Sequence, residues 1–189
     1  MRVHLSERIA DTDPAQLGLF VAGIAERLMD LHEALPDEEQ IPSILEQRPL
    51  LAAVWSAACG EPTAHVAVCH ALARVYLSDF LTPPPDAGRR FDHAGRAVYY
   101  SAQLYLHLLP QFAIWVSNAA IEFAGWSASI GEAEPVAATA QERQRQHGDL
   151  DLIAEYVPVL RELRAGDSPG ATRRLVAELK PRLIRATGR

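Results

Sequence analysis

The chain has 189 residues, 18 Lys+Arg against 24 Asp+Glu, a formal net charge of -6 and an apolar content of 49%. That length and apolar content exclude a disordered chain and suit one domain able to bury roughly 70% of its unfolded surface. Net acidity argues against nucleic acid as a partner, and two cysteines, Cys59 and Cys69, are too few for a disulfide framework or a four-thiolate zinc site.

The opening residues, Met1 to Arg8, hold no apolar segment of signal-peptide length and no small-residue cleavage site. The reading is a cytoplasmic protein. Asp13-Pro14-Ala15-Gln16 reads as a helix start, with Asp as N-cap and Pro at the first position. Leu17, Phe20, Val21, Ile24, Leu28, Leu31 and Leu35 then recur at helical spacing. Glu26, Arg27, Asp30 and Glu33 fall mostly on the other side, and Glu26, Asp30 and Glu33 are expected to be solvated. Pro36 stops the run.

Ser43-Ile44-Leu45-Glu46 has capping-box spacing, but Pro49 follows soon after. A short turn is expected there, then a new helix with Pro49 near its start, running through Trp55 to Gly60. Pro62 opens the next helix, which runs to about Leu81, where Thr82-Pro83-Pro84-Pro85 cannot continue it. Residues 83–92 read as an exposed loop. Residues 93–130 form the longest candidate helix, kinked or split by Pro110 and ended by Gly131 and Pro135. Shorter helices are expected at about 136–147, 150–165 and 169–186, broken by Gly148, Gly166 and Gly170. No segment alternates apolar and polar residues as a strand would.

The expected fold is therefore all-α: a single-domain bundle of about six to eight helices with a long Pro-kinked central helix. Charge is unevenly placed along it. Residues 1–48 carry 4 cations and 10 acids, residues 49–130 carry 4 and 5, and residues 161–189 carry 8 and 3. The charge-poor helices 49–82 and 93–130 are expected at the core. The basic C-terminal helices, 150–187, are expected to dock on the acidic N-terminal one. Residues 97–121 contain no Asp, Glu, Lys or Arg. Polar interruptions at Ser101, Gln103, His107, Gln111, Ser117 and Asn118 argue against a membrane span.

That charge-free segment carries the main candidate site. Arg96, Tyr100, Gln103, His107, Gln111, Asn118 and Glu122 are spaced to share one face of a continuous helix. Ordinary solvent faces are rich in Lys, Glu and Arg, whereas neutral hydrogen-bonding groups suit a partly buried surface. The candidate binding residues are Arg96, Tyr100, Gln103, His107, Trp115, Asn118, Glu122 and Trp126. His65 and Cys69, four apart on one helix face, are two potential zinc ligands, short of the usual three or four. Asp79, Asp92, His93 or His107 would have to complete such a site, and no metal is expected. There is no Walker A loop, Gly-x-Gly-x-x-Gly fingerprint or Cys-x-x-Cys, so no cofactor is expected.

Two functional classes follow. The first is a non-enzymatic helical interaction module, such as an immunity or antitoxin-like binder, an adaptor or an assembly factor. It would bind a protein partner or itself through the low-charge polar and aromatic face of the central helix. The alternative is a small-ligand-binding protein or enzyme with an interhelical pocket around Arg96, His107 and Glu122. Only a spatial observation separates them: whether His107 and Glu122 face a cavity or an open surface.

Overall fold

The computed structural model describes residues 4–34, 44–81, 93–131, 133–165 and 169–185. Among the described residues every regular element is a helix: α1 (Leu5–Ala10), α2 (Pro14–Glu33), α3 (Ile44–Ala58), α4 (Ala64–Leu81), α5 (His93–His107), α6 (Pro110–Ile130), α7 (Pro135–Glu155), α8 (Val157–Ala165) and α9 (Pro169–Ile184). The fold is an all-α bundle. Pro36, Ser43 and the expected loop at 83–92, with Asp92, lie outside the described residues.

α2 begins where Asp13 and Pro14 predict. Asp13 Oδ1 accepts the Ala15 N–H at 2.8 Å, and the proline stands at the first position, where its missing N–H is no loss. Leu17, Leu19, Phe20, Val21, Ile24 and Met29 are all fully buried, so α2 is apolar on more than one face. A helix of that kind belongs in the middle of a bundle. It packs against α3, α5, α6, α7 and α9. The helix from the acidic start of the chain thus shares the core with the charge-poor helices α3, α5 and α6. At Gly23 a Cβ would lie 3.1 Å from Leu183 Cβ, so glycine lets α9 approach closely. Leu175, Leu179 and Leu183 bury the apolar face of α9, and Lys180 Nζ reaches Glu26 Oε1 at 2.9 Å.

The segment 93–130 is two helices, not one kinked helix. Leu108 has φ 55°, and Leu109 is extended, with φ -96° and ψ 117°. The residue before a proline disfavours the helical region, and proline at the first position starts a helix more readily than it sits inside one. Pro110 therefore opens α6 after a two-residue link, and the chain doubles back. Arg96 near the start of α5 meets Glu122 near the end of α6, so the pair is an antiparallel hairpin.

Three smaller differences have equally local causes. α7 runs through Gly148, an exposed position with open space around it, and ends at Glu155, just before Val157-Pro158. α3 starts at Ile44 and contains Pro49, so the expected turn and helix are one element. α1 was not foreseen; Glu7 Oε2 accepts the His4 N–H at 3.1 Å and closes its first turn.

Candidate interaction surface

α4, α5 and α6 form a layer of alternating direction. Early α4 meets late α5 at His65 and Tyr105, with ring centroids 6.2 Å apart. Late α4 meets early α5 at Tyr76 and Tyr99, whose hydroxyls are 2.7 Å apart. That shared hydrogen bond holds the Tyr99 phenol above its usual pKa. From Tyr99 the aromatic contacts continue to Tyr100 at 5.5 Å, to Trp115 at 5.1 Å and on to Phe112 at 5.2 Å. His107 stacks beside Phe112 at 5.8 Å. These spacings lie within the range in which aromatic pairs attract beyond simple burial.

The belt is only half covered. Trp115 is 40% exposed, Tyr76 53% and Val66 72%, and Leu108 and Leu109 stand out at the hairpin tip. α4 is buried along Ala64, Val68, Leu72 and Val75, and it turns Val66, Cys69, Ala73 and Leu77 outward. Residues 64–77 include one arginine, Arg74, and no carboxylate. The outer face is therefore apolar, aromatic and almost without charge.

The hairpin rearranges the predicted stripe. Arg96, Tyr100, Gln103 and His107 lie along α5, while Trp115, Glu122 and Trp126 lie along α6 beside it. Arg96 Nη1 donates to Glu122 Oε2 at 3.2 Å. Behind this pair is His93, buried against Phe123 with ring centroids 5.9 Å apart and Nδ1 3.9 Å from Glu122. Burial lowers the His93 pKa, with Glu122 opposing and Arg96 assisting. Trp126, 38% exposed, packs on Phe123 at 5.7 Å. Asn118 stands apart: it lines a cleft toward α1 and α7. His107 is eleven residues from Arg96, which is roughly 16 Å along a helix.

No protein-family model matches this chain, and no curated protein or solved structure matches it.

His65 and Cys69 do face each other, with Cys69 Sγ 3.7 Å from His65 Nε2, but both are exposed. Among the described residues no third His, Cys, Asp or Glu joins them to make a metal-holding group. The Asp79 side chain and Asp92 lie outside what is described.

The polar groups expected on a solvated face of α2 are the larger departure. Glu26 is only 5% exposed. Its carboxylate accepts from Trp55 Nε1 at 2.9 Å, Arg48 Nη1 at 2.7 Å and Lys180 Nζ at 2.9 Å. Arg48 also spans Asp30 at 2.7 Å and Glu33 at 2.5 Å, and its hydrogen bond holds the Glu33 pKa down. Arg27 is buried too, donating to Asp149 Oδ2 at 2.8 Å, to the Leu183 carbonyl at 2.9 Å and to Glu142 at 3.3 Å. Arg145 donates to the carbonyls of Leu183, Ile184 and Arg185, which end α9. Gln146 accepts from Ser117 Oγ at 2.6 Å and donates to Glu142 at 2.9 Å. Glu26, Arg27 and Arg48 each have an opposite charge in place, while Arg145 is held by the carbonyls at the end of α9, so this network stitches α2 to α3, α7 and α9. Sequence spacing held a signal for it, because Glu142, Gln146 and Asp149 share a helix face with apolar Ile153.

Proposed function

We propose that the protein is a non-enzymatic interaction module that pairs with a second copy of itself through the outer face of α4, α5 and α6. The observation that carries this reading is the half-exposed aromatic belt from Tyr76 to Phe112 on a face almost free of charge. Exposed apolar patches rimmed by polar groups mark association sites, and aromatic anchors supply most of the energy at such interfaces. A two-fold contact sets one patch against its own copy. Charge on that patch would face like charge, at a cost of several kcal/mol. Residues 97–121 remove that cost by carrying none, and they offer no charge pattern by which to choose a different acidic or basic partner.

The pocket alternative has less behind it. Arg96 and Glu122 are paired with each other at one end of the hairpin, His107 is exposed near the other, and the three do not converge.

Sedimentation analysis at about 100 µM should give the mass of two chains, the range in which a micromolar contact of about -8 kcal/mol is filled. Trp115→Glu and Val66→Glu each place an unpaired charge in the contact. Both are expected to weaken pairing about a hundredfold while leaving the helical circular dichroism unchanged. A wild-type chain that stays monomeric at millimolar concentration would overturn the reading, as would pairing indifferent to both changes.

A further inference from the structure

The cleft where α1 lies against α6 and α7 has the chemistry of a ligand site, and it lies on a different face from the aromatic belt. Its volume is about 340 Å³. Small-molecule sites run from about 300 to 1,000 Å³, so this one fits a compact metabolite. Its apolar wall is Leu5 and Ile9 from α1 with Ile114 and Ile121 from α6. Its polar side is His4, Asn118, Arg143 and His147. No carboxylate lines it, in a chain whose net charge is -6.

The neighbouring acids are engaged elsewhere. Glu7 accepts the His4 N–H at 3.1 Å, Asp151 pairs with Arg8, and Glu142 turns inward to Arg27 and Gln146. On α7, Glu142 and Asp149 point to α2, while Arg143 and His147, four apart, line the cleft, and Asp151, one turn further on, is held by Arg8. Arg8 donates to the His147 carbonyl at 3.1 Å and steadies that turn of α7. Arg143 makes no ion pair with any described residue.

We propose that this cleft binds a small amphipathic monocarboxylate, its aliphatic or aromatic body against Leu5, Ile9, Ile114 and Ile121 and its carboxylate at Arg143. A guanidinium fork matches a carboxylate in shape and charge, and the Asn118 amide adds an N–H donor beside it, while the His4 and His147 rings are held by Ser6 and Arg8. A phosphate group brings up to two negative charges against a single lining arginine and leaves the apolar wall unused.

The test is calorimetric titration of the full chain with octanoate, octylammonium and inorganic phosphate. Octanoate is expected to saturate one site per chain with a dissociation constant below about 1 mM. The other two probes should not saturate. Arg143 and Asn118 are both exposed, so their replacement leaves the fold intact. Arg143→Gln should weaken octanoate at least tenfold. Asn118→Asp, which sets a carboxylate in the cleft, should abolish binding. Absence of saturation by octanoate overturns the proposal. So does equal binding of octylammonium or phosphate, or octanoate affinity untouched by both substitutions. Val66→Glu, which lies on α4 and addresses only the pairing face, should bind octanoate as the wild type does.

Discussion

At the scale of single residues, the misread positions are the buried charges. Apolar spacing along α2 separates one face from another, but it cannot say whether the second face meets water or a neighbouring helix. Glu26 and Arg27 meet α3, α7 and α9. Breaking such a pair is costly because the partner stays buried and charged, and Arg27→Met should lower unfolding free energy by about 3–5 kcal/mol in urea titration. A loss below 1 kcal/mol would show that Asp149 and Glu142 are rehydrated without it. The cysteines diverge for the same reason of burial. Desolvation pushes the Cys59 thiol up to about 12, while Cys69 is exposed on α4. Since thiolate is the reactive form, native protein diluted well below the pairing range at pH 8 should take up one equivalent of iodoacetamide, on Cys69, and denatured protein two. His93 gives a pH effect of known sign. Its folded pKa lies below the unfolded value of 6.5, so its contribution to stability is full above that value and is lost as pH falls through the folded pKa. Stability measured between pH 7 and 5 should fall less in His93→Gln than in the wild type; equal slopes would remove His93 as the cause.

At the scale of elements, the start of α2 and the breaks at Gly60 and Gly131 were legible, whereas the full separation at Pro110 and the continuity through Gly148 were not. Asp13-Pro14 located α2 because an N-cap and a first-position proline act locally. Pro110 has the same local meaning, yet apolar spacing continues on both sides of it and suggests one helix. The hairpin depends on Leu108 adopting φ 55°, which no sequence rule assigns to leucine. That conformation costs a non-glycine residue roughly 1–2 kcal/mol, and Leu108 is exposed and loses little packing on replacement. Leu108→Asn should therefore raise stability by about 0.5–1 kcal/mol, whereas Leu108→Val should lower it. Gly148 is the converse case. Glycine suggested a break, but α7 is held through it by Gln146, Asp149 and Leu150 on its buried side. With open space at its Cβ position, Gly148→Ala should stabilise by about 0.5–1 kcal/mol in thermal or urea melts, and a loss would show strain at that turn. The residues of the predicted stripe lie on two adjacent helices, with Asn118 on a separate cleft.

At the scale of the whole molecule, charge segregation along the sequence told which ends meet but not how deeply. The basic end does reach the acidic start, through Lys180 and Glu26, yet the contact is a buried seam rather than a surface attraction. α9 supplies three buried leucines, 175, 179 and 183, at roughly 1.5–3 kcal/mol each. It also supplies Lys180 to Glu26 and the Leu183 carbonyl to Arg27. Removing it leaves Glu26 and Arg27 short of partners and uncovers the glycine-lined groove of α2 at Gly23. Those losses are comparable with the whole stability of a domain, about 5–15 kcal/mol. A chain ending at residue 168 should therefore lose its cooperative urea transition and bind a hydrophobic dye. Adding a peptide of residues 169–189 should restore the transition in a concentration-dependent way, because the lost contacts come from one continuous helix. A truncated chain that melts cooperatively within about 2 kcal/mol of the intact one would mean that α2, α3, α5, α6 and α7 close the core by themselves, with α9 an accessory to it.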